Sequence, residues 1–225
     1  MQKLYTGKTK DVYKREDGLY QLAFKDDVTG VDGVFDPGAN TVGLSMEGAG
    51  RAALALTTYF YTKINEAGIP THFVSANLDD QTLVVKPAAL FGQGVEVILR
   101  YKAVGSFLRR YGKYIEEGAD LDHFVEVTLK DDERDDPPIT RDALAMLGIM
   151  SDEDYDQLKS MTIKIGDMVR DELKKKDLDL YDIKFEFGLI DGEVALIDEI
   201  SGGNMRAYHH GEYVEPLILE EMMLE

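Results

Sequence analysis

Apolar and polar positions alternate at two different periods along the chain. In the first third, short apolar runs are broken by turn residues. Leu19-Tyr20-Gln21-Leu22-Ala23-Phe24, between Asp17-Gly18 and Lys25-Asp26-Asp27, reads as a strand. Gly30 to Gly50, rich in Gly with one Pro, reads as loops and bends. A helix is expected over roughly 51–67, stopped by Gly68 with Pro70 two residues on. The middle is strand-rich: Leu83-Val84-Val85, Val95 to Leu99 and Phe124 to Leu129 carry β-branched residues in partial alternation. Ser106 to Tyr111 reads as a short helix between the last two, and Thr140 to Leu147 as another, closed by Gly148. Ser151-Asp152-Glu153-Asp154 resembles a capping box that opens a long helix to about Lys175. Tyr155, Leu158, Ile165, Met168, Val169 and Leu173 form its apolar stripe and belong to a core. Ile183 to Leu189 and Glu193 to Ile197 are strands joined by Asp191-Gly192. The order, β-rich first and mixed afterwards, predicts an α+β fold in two lobes, residues 1–80 and 81–225.

Composition narrows the function classes. With 225 residues, 44% hydrophobic and 30% charged, the chain has the makeup of a soluble globular protein. No apolar run approaches the roughly 20 residues that span a bilayer, and Met1-Gln2-Lys3-Leu4-Tyr5 lacks the apolar stretch of a signal peptide. Cysteine is absent, which removes disulfides and thiolate metal sites. A cytoplasmic location is the expectation. The net charge of -18 disfavours nucleic acid and anionic membrane as partners. An anionic substrate would need some of the 25 Lys and Arg residues gathered against that field. The four His residues lack zinc-site spacing, and His209-His210 reads as an exposed turn.

Four clusters carry candidate chemistry. Gly7-Lys8-Thr9-Lys10 lets backbone approach a phosphate and sets Lys8 and Lys10 at i, i+2, the spacing of one strand face; it is not a Walker A loop. Arg100 follows an apolar strand, with Gly105-Ser106 and Arg109-Arg110 beyond it; Arg suits bidentate phosphate binding. In the charge run after Leu129, Lys130 at a strand end and Asp136 before a proline stand out from solvated neighbours. Asp182, Lys184 and Glu186 share one face at period two, with Ile183, Phe185 and Phe187 on the other. Acidic residues at the end of the return strand, Asp198-Glu199, facing that Lys and Glu, suit magnesium with substrate phosphates. A hairpin with one wet face would show the same alternation.

Taken in order, these residues resemble the SAICAR synthetase family. The resemblance rests on Gly7 to Tyr13, Gly68-Ile69-Pro70-Thr71-His72-Phe73, Arg100 with Ala103-Val104-Gly105-Ser106, Leu129-Lys130-Asp131-Asp132, Asp136-Pro137, Lys184-Phe185-Glu186-Phe187-Gly188 and Asp198-Glu199-Ile200-Ser201. It implies a β-rich, kinase-like or ATP-grasp-like ATP-binding lobe against a larger α+β lobe, with the active site between them. The implied reaction joins the carboxylate of carboxyaminoimidazole ribonucleotide to the amine of L-aspartate, with ATP becoming ADP and phosphate. The implied cofactors are ATP and Mg2+. The family pattern assigns Lys8, Lys10 and Lys130 to ATP, and Glu186 and Asp198 to the metal. Arg100, Ser106 and Arg206 fall to the ribonucleotide phosphate, and Asp136, Asp182 and Lys184 to the imidazole end. A homo-oligomer stays open. Departures from the pattern are the stretch Gly38 to Ser45, Tyr101 where Asn commonly follows the Arg, and Gly202-Gly203 where Pro-Asp is usual. Another ATP-dependent carboxylate–amine ligase, a small-molecule kinase and a silent nucleotide-binding paralogue are the alternatives.

A shared metal also constrains the hairpin. With Asp191-Gly192 alone as the turn, Asp198 would fall opposite Phe185 on the apolar face. A three-residue loop, Ile190-Asp191-Gly192, pairs Leu189 with Glu193 and turns Asp198 toward Lys184 and Glu186. The second register, or a local twist of the same effect, is the expectation.

Overall fold

The computed structural model describes residues 1–31, 33–35 and 41–225. It divides the chain into two compact units. The first holds Met1–Ala88, Glu199–Asn204 and Val214–Glu225; the second holds Ala89–Asp198 and Met205–Tyr213. The chain therefore crosses at Ala88, beyond the residue-80 boundary read from the sequence, and returns to the first unit twice.

In the first unit the strands are β1 (Gln2–Thr6), β2 (Lys10–Lys14), β3 (Tyr20–Phe24), β4 (Asp27–Val31), β5 (Val34–Phe35), β6 (Val42–Ser45), β7 (Phe73–Asn77) and β8 (Thr82–Val85). One helix, α1 (Ala49–Glu66), lies between β6 and β7. Five strands pair antiparallel in the order β1-β2-β3-β8-β7, and β5-β4-β6 form a smaller sheet. Leu22, Phe24, Leu54, Leu83 and Val85 are the core, so α1 is buried against β3 and β8. The small sheet corrects the reading of Gly30 to Gly50 as loops. Gly30 and Gly43 lie within strands: a Cβ on Gly43 would sit 2.5 Å from the Gly30 backbone, so β4 and β6 approach only without side chains at that point. Of the stretch Gly38 to Ser45, residues 38–40 lie outside the described residues and Val42–Ser45 form β6.

The second unit contains β9 (Ala89–Leu90), β10 (Val95–Lys102), α2 (Ser106–Tyr111), β11 (Asp120–Leu129), α3 (Arg141–Met146), α4 (Asp152–Lys174), β12 (Leu178–Ile190), β13 (Glu193–Ile197), β14 (Met205–His209) and β15 (Glu212–Tyr213). Its sheet runs β11-β10-β12-β14-β15, with β13 and β9 also paired to β12. The Ser151 hydroxyl accepts from the Asp154 N–H at 3.0 Å, the cap expected from the sequence. Leu158, Ile165, Val169 and Leu173 of the expected stripe are fully buried. They pack α4 on β10 and β12. Leu99 points to this side, because a Cβ on Gly166 of α4 would strike it. At period two, Val97, Leu99, Ile183, Phe185 and Phe187 share the α4 side and form the core. The other face is left for polar residues. Among the described residues no helix is long and apolar enough to cross a membrane.

Candidate active site

Strand register assembles the polar face. Across β10 and β12, Glu96 pairs with Glu186, Ile98 with Lys184 and Arg100 with Asp182. On the outer sides, Ile98 pairs with Glu126 of β11 and Asp182 with Arg206 of β14. Residues far apart in sequence thus become cross-strand neighbours on one surface.

At the Arg100 end, five ionised side chains alternate in sign. Arg100 donates from Nη1 to Asp182 at 2.8 Å and to the Val104 carbonyl at 3.5 Å. Its Nη2 donates to Ser106 Oγ at 2.8 Å and to Glu126 at 3.0 Å, and its Nε to Glu126 at 3.3 Å. These contacts occupy all five donors of a guanidinium that is only 2% exposed. Arg206 reaches both oxygens of Asp182, at 2.9 and 3.2 Å, and Arg110 donates to Glu126 Oε1. Asp182 is accordingly held between Arg100 and Arg206 rather than standing apart with Lys184.

Gly105 makes this corner possible. Its φ of 58° and ψ of -133° suit only glycine, and a Cβ would lie 2.8 Å from both terminal nitrogens of Arg206. Gly105→Ala is expected to cost about 1–3 kcal/mol of stability and to push Arg206 off Asp182. A thermal melt with an unchanged midpoint would contradict this reading of the corner.

Further along β12, lysines and carboxylates interleave. Lys184 Nζ contacts Glu96 Oε1 at 2.6 Å, and Lys130 Nζ contacts Glu186 Oε1 at 2.7 Å. Burial pushes the Glu186 carboxyl above its ordinary range; the charge of Asp198 adds to this, and Lys130 and Lys184 oppose it. Burial works against the ammonium of Lys184, but Glu96, Glu186 and Asp198 outweigh it and raise its pKa. Lys130 behaves alike, with Glu186 and Asp198 outweighing desolvation. Asp136 accepts from the Asp131 N–H at 2.7 Å, and burial raises its carboxyl. Asp135 and Asp136 both adopt positive φ, 57° and 45°, a strained pair that the loop must hold in place.

The hairpin differs from its expected register. Ile190 pairs with Glu193 and Leu189 with Val194, so Asp191-Gly192 is a plain two-residue turn with positive φ at both positions. Strand alternation would then turn Asp198 away from Glu186. It does not apply to Asp198, because β13 ends at Ile197 and Asp198 takes a φ of 67°. Asp198 acts electrostatically on Glu186, Lys130 and Lys184.

In the first unit, Lys10 begins β2 and Lys8 precedes it in a bend, so the two do not share a strand face. Lys10 Nζ contacts Glu199 Oε1 at 2.9 Å and lies 5.2 Å from the centroid of the Phe24 ring. Tyr101 turns to the opposite side of β10 from Arg100 and donates its hydroxyl to Asp167 of α4 at 3.1 Å. That departure from the family pattern therefore lies off the polar face.

Sequence reading alone passed over Glu96, Glu126 and Glu199 as site residues. Each had a signal: Glu96 stands four residues before Arg100, Glu126 four before Lys130, and Glu199 beside Asp198. A glutamate inside an apolar strand, at even spacing from a cation further along, marks a polar face.

The SAICAR synthetase family model matches residues 3–220 of this chain. A phosphoribosylaminoimidazole-succinocarboxamide synthase of Clostridium tetani (strain Massachusetts / E88) is 64% identical over 227 residues, covering all of both chains. A solved SAICAR synthetase (Type-2) in complex with ADP superposes with a TM-score of 0.82 at 30% identity, over 94% of this chain and 87% of that one. A Type-1 crystal structure of SAICAR synthetase from Pyrococcus horikoshii OT3 gives 0.82 at 26% identity, over 96% and 97%. The chain belongs to the SAICAR synthetase family.

Proposed function

We propose that this chain ligates carboxyaminoimidazole ribonucleotide to L-aspartate, forming SAICAR, ADP and phosphate in purine biosynthesis. The full-length match to a named synthase carries the reading. The geometry supports it. Asp182 and Glu186 stand four residues apart on β12, about 13 Å at ~3.3 Å per residue, with an arginine cluster at one and a lysine–carboxylate cluster at the other. That span matches a phosphorylated nucleoside laid along the strand, its phosphate toward Arg206 and Ser106 and its carboxylate toward Lys184 and Asp136.

A carboxylate is a poor electrophile, because its charge repels nucleophiles and oxide does not leave. Phosphoryl transfer from ATP converts it to an acyl phosphate, and ADP departs. The aspartate amine then attacks the acyl carbon, and inorganic phosphate leaves with the bonding electrons. Such transfers rest on positioning and charge neutralisation. In this reading Lys8 and Lys10 of the first unit and Lys130 of the second hold ATP phosphates. Asp136, at the imidazole end with Lys184, is a local acceptor whose raised pKa suits it to receive a proton from the amine. The first unit then acts as a kinase-like ATP-binding lobe.

Glu186 and Asp198 fit a magnesium ion: they are hard oxygen donors whose mutual repulsion a divalent cation relieves. Among the described residues no group of three carboxylates or imidazoles gathers to hold a metal alone, which suits an ion that keeps waters and substrate phosphates as ligands. When bound, the ion would neutralise charge on the transferred phosphoryl group.

The reading is tested with heavy oxygen in the ribonucleotide carboxylate. One labelled oxygen should appear in inorganic phosphate for each amide formed, and none in ADP. ADP release without amide product would overturn the ligase and favour a kinase. Substituting other amino acids for aspartate in the same assay tests the amine.

A further inference from the structure

We infer that Arg110 is a phosphate-binding group of this site and that Glu126 is its positioning residue. The inference rests on the ligase reading for its substrate, a phosphate monoester, and on the second unit's own geometry for its residues. Arg100, the arginine most easily assigned to a phosphate, has its five donors committed to Glu126, Asp182, Ser106 and the Val104 carbonyl. It could bind a ligand only by giving up a buried partner. Arg110 stands differently. One terminal nitrogen is held by Glu126, and its Nε and other terminal nitrogen have no hydrogen-bond partner among the described residues. Its side chain is 29% exposed, against 6% for the carboxylate that holds it. A guanidinium anchored at one corner, with donors left outward, is set for a bidentate phosphate contact.

Glu126 bridges Arg100 and Arg110, and Asp182 bridges Arg100 and Arg206. Glu126 divides its oxygens, Oε2 to Arg100 and Oε1 to Arg110, and so ties the exposed arginine to the buried one. Helix α2 supplies both Ser106 and Arg110 one turn apart, on the same helix face.

Arg110→Ala, Glu126→Gln, Glu126→Asp and the double variant Arg110→Ala/Glu126→Gln test this. Equilibrium binding of carboxyaminoimidazole ribonucleotide and of its phosphate-free riboside is measured beside steady-state kinetics. Arg110→Ala should weaken the ribonucleotide about tenfold to a hundredfold, the range for charge-assisted hydrogen bonds. The riboside, the KM for ATP and kcat should stay within about twofold of wild type by the same comparison. Glu126→Gln should weaken the ribonucleotide with little change in kcat, and Glu126→Asp should recover part of the loss. The double variant should bind no worse than Arg110→Ala, since Glu126 acts through that arginine. Arg110→Ala leaves Glu126 on Arg100, so it remains informative if Glu126→Gln does not fold. Unchanged ribonucleotide affinity in Arg110→Ala, or equal losses for ribonucleotide and riboside, would overturn the assignment. A wild-type protein that binds the ribonucleotide but does not join it to aspartate would overturn the reaction and leave this site standing. A wild type that does not bind it would overturn both.

Discussion

Replacing Asp198 by Asn is expected to lower turnover by about 10³, the loss seen when one preorganised charge-stabilising group is removed. The expectation follows from where Asp198 stands. It follows β13 in a left-handed conformation that Asn also tolerates, so backbone strain changes little. What changes is charge. Asp198 and Glu186 are two carboxylates whose repulsion, added to burial, holds Glu186 above its ordinary range. In the proposed site that repulsion is the binding energy available to magnesium. With Asn, half-maximal ADP release should need far more magnesium, and chelation should abolish it in both proteins. The sign of a second readout is fixed as well. Removing the Asp198 charge removes a cause of the raised Glu186 pKa, so that carboxyl should titrate lower by carbon-13 NMR. Wild-type magnesium dependence in Asp198→Asn would remove Asp198 from the metal site.

The same stretch of chain shows what the sequence could and could not reveal. Asp182, Lys184 and Glu186 were legible because strand alternation is a local rule, and β12 obeys it from Leu178 to Ile190. Helices α2 and α4 were legible from the Gly-Ser step and the Ser151 cap. The turn register was misread because the expected shared metal favoured a bulged loop, while Asp191-Gly192 itself favours a two-residue turn. Asp198 lies one residue beyond the strand in a left-handed conformation, so the strand register does not set its direction. The partnership of Arg100 with Glu126 and Asp182 was not legible, since it depends on which strands become neighbours in the sheet. Nothing local to Arg100 tells that its donors are already taken. Gly30 to Gly50 was misread in part for a related reason: glycine signals a turn by default, but Gly30 and Gly43 mark strands whose backbones meet closely.

Lys10→Met should lower turnover by about 10²–10³, again the range for one lost transition-state donor, and the difficulty is to separate catalysis from folding. Lys10 contacts Glu199, with both side chains about nine-tenths buried, and its Nζ lies 5.2 Å from the centroid of the Phe24 ring. Methionine keeps the stem and its packing but removes the charge. Glu199 is then a buried carboxylate deprived of this lysine, which costs about 1–3 kcal/mol. It cannot easily turn away. The Asn204 amide donates to its carbonyl at 2.6 Å, and the next residue, Ile200, is bonded through both backbone groups to Thr57 of α1. A loss of activity in Lys10→Met alone could therefore reflect a displaced Glu199 segment. Adding Glu199→Gln removes the stranded charge and should restore most of the lost stability. Activity should stay low, because the phosphate contact is still missing. Stability and activity recovering together in Lys10→Met/Glu199→Gln would show that Lys10 serves the fold and does not hold ATP. Stability recovering while the KM for ATP and kcat stay impaired is the result expected of a lysine on the nucleotide.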